Sequence, residues 1–122
     1  MPDEPSLKPV VWVGSSRQDL RALPEPVQDR VGYALYVAQR GGKHQDAKTL
    51  KGYGGAGVVE VVTDYRGDTF RAVYTVQFAG AVYVLHVFQK KSKSGRATPQ
   101  QDVKLIERRL REAERIAQGT AR

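Results

Sequence analysis

Between Val58 and Gln89 the sequence runs through three β-prone segments with only two short breaks, and this stretch limits the fold more than any other. The segments, about Val58 to Tyr65, Thr69 to Phe78 and Ala81 to Gln89, are rich in valine, tyrosine and phenylalanine, which suit a pleated and half-buried surface. Arg66-Gly67 and Ala79-Gly80 separate them, and each pair supplies the glycine that a two-residue hairpin turn favours. Paired as those turns suggest, the three strands stand side by side in an antiparallel sheet.

Two-residue turns also fix the register. Tyr65 then faces Asp68, which sets Glu60 opposite Val73 and Val62 opposite Arg71; Phe78 faces Ala81, which sets Arg71 opposite Phe88 and Val73 opposite His86. Side chains alternate between the faces. One face carries Val59, Val61, Phe70, Ala72, Tyr74, Val76, Tyr83, Leu85 and Val87, an apolar surface fit to be covered by helices. The other carries Glu60, Val62, Arg71, Val73, Thr75, Val84, His86 and Phe88, a mixture expected of the uncovered side of an antiparallel sheet. One extra residue in the first turn would flip Glu60 to the covered face.

The flanking segments read as support. Residues 1–6 are expected to be a loose tail. Lys8 to Gly14 is a short β-prone run in which Trp12 packs, and Pro9 suits a strand start or a sheet edge. Ser15 or Ser16 offers an N-cap for a short helix over Arg17 to Leu23. Pro24 stops it, and a second helix runs from Glu25 or Pro26 to about Arg40, with Val27, Val31, Ala34, Leu35 and Ala38 at helical spacing. Gly41-Gly42 closes that helix, so the pair reads as a helical hairpin. Lys43 to Gly57 reads as loop; its Gly52, Gly54 and Gly57 match G-x-G-x-x-G, but no strand precedes them and no helix follows, so the dinucleotide reading is rejected. Thr98 as N-cap, Pro99 in the first helical position and Gln101 start a last helix, with Val103, Ile106, Leu110, Ala113 and Ala117 on one face. Glu107 with Arg111 and Arg108 with Glu112 read as exposed i,i+4 pairs, and Gly119 as the stop.

The 122 residues fit a single α+β domain, a small antiparallel sheet with an N-terminal helical hairpin and a C-terminal helix packed on it. Twenty basic and thirteen acidic residues leave a net charge of +7, which favours polyanions: nucleic acid or an acidic protein. Without cysteine there are no disulfides or thiolate metal sites, and His44 and His86 stand at no recognisable metal spacing. No signal peptide is visible, and no apolar run approaches the ~20 residues of a membrane span, so a cytoplasmic protein is expected, with no membrane partner and no cofactor.

A face bearing Glu60, Arg71 and His86, with Lys90 and Lys91 at its rim, suits RNA cleavage through the 2′-hydroxyl. Such a reaction needs a base, an acid for the leaving oxygen and cations on the phosphorus oxygens, and it requires no metal. His86 and Glu60 are the candidate base and acid, while Arg71, Lys90 and Lys91 would stabilise the transition state. Lys93 and Arg96 in the loop after the third strand, and Lys48 and Lys51 before the sheet, are candidate RNA contacts. Each has a plainer reading: Glu60 with Arg71 as an exposed ion pair worth under ~1 kcal/mol, His86 as a packing residue, and the cation run as a solvated loop. The residues alone reach a basic α+β domain that binds RNA and carries groups able to cut it.

The stretch from Leu50 to Glu114 resembles the RelE/ParE toxin superfamily, and within it the HigB-like, phage-derived branch. The resemblance rests on Leu50-Lys51-Gly52, Gly57-Val58-Val59-Glu60, Phe70-Arg71-Ala72-Val73-Tyr74 and the run Val84-Leu85-His86-Val87-Phe88-Gln89-Lys90-Lys91-Ser92, followed by Thr98-Pro99 and a charged helix. It implies the toxin of a type II toxin–antitoxin pair, a ribosome-dependent mRNA endonuclease whose cognate antitoxin is a helix-turn-helix protein. It also implies activity resting on Arg71, Lys90 and Lys91. One departure stands out: many relatives have Glu-Leu-Arg where this chain has Glu60-Val61-Val62, so a family arginine is missing. The alternatives are a ParE-like inhibitor of DNA gyrase and a non-catalytic module binding RNA or antitoxin.

Overall fold

The computed structural model describes residues 7–55, 57–90 and 99–120. The elements are β1 (Val10–Trp12), α1 (Ser16–Arg21), α2 (Glu25–Gln39), β2 (Ala47–Thr49), β3 (Val58–Tyr65), β4 (Asp68–Thr75), β5 (Val82–Lys90) and α3 (Gln100–Thr120). They form one five-stranded sheet in the order β1-β5-β4-β3-β2, antiparallel except for β1, which lies parallel to β5. The α+β expectation holds. In the elements themselves, the Lys43–Gly57 stretch contains the short strand β2, and α3 continues through Gly119, neither of which the sequence reading has. β2 is only three residues long with Lys48 and Thr49 exposed, so it has no apolar alternation to announce it. Thr98, the expected N-cap of α3, lies outside the described residues; Pro99 accepts from the backbone N–H groups of Asp102 and Val103.

The helical hairpin packs as its periodicity requires. Val27, Val31, Ala34, Leu35 and Ala38 are buried and meet Val59, Val61, Phe70, Ala72 and Tyr74 from one side of the sheet. Pro24 is the N-cap of α2, and Gln28 Nε2 donates back to the Leu23 carbonyl, 2.8 Å away, tying the two helices at their corner. Gly41 takes φ +87° just past α2, the left-handed residue expected there.

The first hairpin is as the sequence implies. Arg66 and Gly67 have φ +52° and +83°, the pattern of a type I′ turn, and Tyr65 pairs with Asp68, Val62 with Arg71 and Glu60 with Val73. The second differs. β4 ends at Thr75 and β5 starts at Val82, so Phe78 and Ala81 are not a closing pair. Near the loop Tyr74 faces Val84 and Thr75 faces Tyr83; a bulge then makes Leu85 the extra residue, beyond which Val73 faces His86 and Arg71 faces Phe88. The loop and the bulge each shift the pairing by one residue, and the two shifts cancel.

The cancellation has a price in the face assignment. Tyr83 and Leu85 sit with Val58 and Val73 on the α3 side, while Val82, Val84 and Val87 sit on the hairpin side; Val76 is exposed. The expected placement of Tyr83, Leu85 and Val76 on the hairpin side, and of Val84 opposite, is therefore corrected. So is the expectation of an open second face, because α3 covers it with Ile106 and Ala113 against Val13, Val73, Tyr83 and Leu85. No helix among the described residues is long and apolar enough to cross a membrane.

Candidate functional site

Residues directly opposite in a ladder share a face. The pairings therefore run Lys48–Glu60–Val73–His86 in one row across the sheet, Val62–Arg71–Phe88 in the next, and Asp64–Thr69–Lys90 in a third. The structure thus places Lys48, Glu60, Arg71, His86 and Lys90 on one face, the face under α3. Lys51 is exposed in the loop after β2. Lys91, Lys93 and Arg96 lie outside the described residues.

Glu60, Arg71 and His86 on this face are paired. Arg71 Nη1 donates to Glu60 Oε2 at 2.7 Å, with side chains 13% and 7% exposed, so the pair is largely buried rather than the exposed pair the sequence suggested. Truncating one partner of such a pair leaves the other charge uncompensated, which is the costly direction. His86 Nε2 lies 2.7 Å from Oδ1 of Asp102, in the first turn of α3, and its ring stacks on Phe88 with centroids 4.3 Å apart and planes within 14°. Burial pushes the His86 pKa down; the hydrogen bond and charge of Asp102 oppose that, the Arg109 charge adds to it, and Asp19 opposes it. The net balance favours the neutral imidazole. A carboxylate at Nε2 accepts, which puts the proton on Nε2 and leaves the lone pair on Nδ1. Nδ1 is buried and has no partner among the described residues.

Arg109 braces the bulge from α3. Its Nη1 donates to the Leu85 carbonyl at 2.9 Å, and its Nη2 lies 3.1 Å from Ser15 Oγ, which in turn donates to Asp19 at 2.8 Å. The guanidinium lies so close over Gly14, at φ +60°, that a Cβ there would come within 2.7 Å of Arg109 Nε. The bulge that turns Leu85 and His86 toward α3 is thus held by one arginine reaching from the helix it faces. A concavity of about 290 Å³ opens beside the His86–Asp102 pair, lined by Phe88, Gln89, Lys90, Pro99, Gln101 and Asp102.

Asp102 and Arg109 were missed by sequence reasoning, although a signal was present. Asp102, Ile106, Arg109 and Ala113 follow one another at intervals of four, three and four, the spacing of one helix face. Two charged residues thereby interrupt a face otherwise committed to the core, and each requires a partner across the interface.

The helical hairpin on one face of the sheet and α3 on the other define a small three-layered α+β protein. An arginine-substituted mutant of the E. coli toxin RelE in its free state superposes with TM-score 0.56, over 87% of this chain and 97% of that one, at 13% identity. A chain of the toxin–antitoxin complex RelBE2 from Mycobacterium tuberculosis matches 75% of this chain and 100% of its own length, with 20% identity and TM-score 0.47. Among curated proteins none matches. Residues 18–111 match the family model described as Phage derived protein Gp49-like, and the chain belongs to that family.

Proposed function

We propose that this protein is the toxin of a toxin–antitoxin pair, an endonuclease that cuts mRNA on the ribosome. The observation that carries the reading is the common face of Arg71, His86 and Lys90 in a RelE-type sheet, with the histidine oriented by Asp102. His86 Nδ1 takes the proton of the 2′-hydroxyl; the 2′-oxygen attacks phosphorus; the bond to the 5′-oxygen breaks and that oxygen leaves with a proton from Lys90. Arg71, together with Lys91, offsets the charge gathering on the non-bridging oxygens. Glu60 holds the Arg71 guanidinium in place, a positioning role rather than that of the acid. Because Nδ1 is sealed, RNA binding must displace the Phe88 ring or part of α3 for the 2′-hydroxyl to reach it. Lys48, Lys51, Lys93 and Arg96 steer RNA to this face, and the cognate partner is a helix-turn-helix antitoxin in the cytoplasm.

The test is expression followed by primer extension on translated mRNA. New 5′ ends within codons are expected, and Arg71→Ala should reduce them by more than tenfold while Arg17→Ala leaves them unchanged. Growth arrest with intact mRNA would overturn the nuclease reading. One observation favours a second reading, a toxin that binds without cutting: both acid–base pairs of the face are closed within the protein. Arrest that survives the combined substitution of Glu60, Arg71 and His86 would select it.

A further inference from the structure

The outer side of α3 carries a feature that cleavage does not use. Lys104, Arg108, Arg111 and Arg115 are all exposed, and their spacing of four, three and four residues sets them in one line about 16 Å long at 1.5 Å rise per residue. The expected pairs Glu107–Arg111 and Arg108–Glu112 do not form: Glu112 bonds Arg115 instead, and Glu107 lies near enough to Tyr53 to help raise its phenol pKa, after burial. Among the described residues no carboxylate pairs with Lys104, Arg108 or Arg111. Beside the line a groove of about 380 Å³ separates α3 from the turn at Gly14, and Arg108, Arg109 and Arg115 stand on its walls with Glu112.

We infer that this ridge is a docking surface for an RNA phosphate backbone, separate from the face that cuts. The +7 charge favours a polyanion, and among the described residues no anion pairs with these three cations in a row. Glu107 and Glu114 flank the row on one side and the Glu112–Arg115 pair closes the other, so a broad acidic protein surface is repelled along one margin while a line of phosphates fits on the row. The sheet-facing residues of α3 (Asp102, Ile106, Arg109) lie on the opposite side of the helix, so a strand on the ridge is not the strand at His86. The ridge therefore holds one RNA segment while the other face works on the message; only the choice of RNA over other polyanions rests on the proposed function.

The experiment measures binding of the full chain to a short RNA hairpin by fluorescence anisotropy from 50 to 300 mM KCl. The triple variant Lys104→Gln, Arg108→Gln, Arg111→Gln should show a log–log salt slope shallower by about 2 to 3, near 0.9 per lost phosphate contact, and at least tenfold weaker binding at 100 mM. Glutamine keeps helix propensity, and circular dichroism checks the fold. A control losing the same charge elsewhere, Arg17→Gln, Arg21→Gln, Arg40→Gln, should change the slope by less than about 1. A ridge variant equal to wild type, or a control that loses as much, overturns the proposal. So does a ridge variant that binds RNA normally but loses binding to a polyglutamate probe, which would assign the row to an acidic protein. A protein that shows the slope yet never cuts mRNA keeps this surface and loses the nuclease.

Discussion

The two faces of the sheet are built on different terms. Under α1 and α2 the contacts are aliphatic and aromatic, with Val27, Ala34, Val61, Val82 and Val84 fully buried, and stability there follows apolar area. Under α3 the same sheet carries Glu60 with Arg71 and His86 with Asp102, and α3 gives up two core-facing positions to charged residues. A helix laid on a sheet for stability alone would place apolar side chains there. The hairpin face teaches how the fold is held, and the α3 face shows what it holds in position.

Substitutions on each side should separate the two. On the hairpin face Leu35→Ala should destabilise the protein most, by about 2–4 kcal/mol in urea denaturation, with no specific effect on cleavage by the folded fraction. On the α3 face Arg71→Ala should destabilise by about 1–3 kcal/mol, because Glu60 is left buried and unpaired, and should also abolish cleavage. Comparable stability losses with no difference in activity would break the distinction.

Arg109→Met should have an intermediate effect, about 1–2 kcal/mol, since it frees the Leu85 carbonyl at the bulge. It also removes a charge that lowers the His86 pKa, so the imidazole titration followed by NMR should move up; Asp102→Asn should move it down. The sign of the pH dependence follows from the depressed value. The unfolded chain binds the His86 proton near the ordinary pKa of about 6.5, the folded chain only at lower pH, so this contribution is complete above that value and declines as pH falls below it. Stability that rose on acidification from pH 7 to 5.5 in wild type but not in His86→Gln would contradict this. The smallest effect belongs to the hairpin face: Tyr74 has a buried hydroxyl with no partner among the described residues, its pKa pushed up to about 12 by burial, and Tyr74→Phe should leave stability unchanged or raise it by up to about 1 kcal/mol.

Much of this contrast was readable from the chain, for identifiable reasons. The turn at Arg66-Gly67 is the two-residue turn its glycine favours, so the Glu60–Val73 and Val62–Arg71 pairings followed from it. The pairing of His86 with Val73 came out correctly although the loop before β5 did not, because the bulge at Leu85 restored the register. A bulge leaves no trace in apolar alternation, and Tyr83 and Leu85 were assigned to the wrong side for that reason. The partners of His86 and of the Leu85 carbonyl come from α3, more than fifteen residues away in sequence, and local pattern does not show which face a C-terminal helix will cover.

The most direct measurement is single-turnover cleavage of mRNA on programmed ribosomes, for wild type and His86→Ala across pH 5 to 8. The account predicts 2′,3′-cyclic phosphate ends, a wild-type rate that declines on acidification with its midpoint below the ordinary histidine pKa of about 6.5, and a loss of about 10²-fold or more in the variant. Equal rates for the two proteins, or a wild-type chain that leaves the message whole, would contradict it.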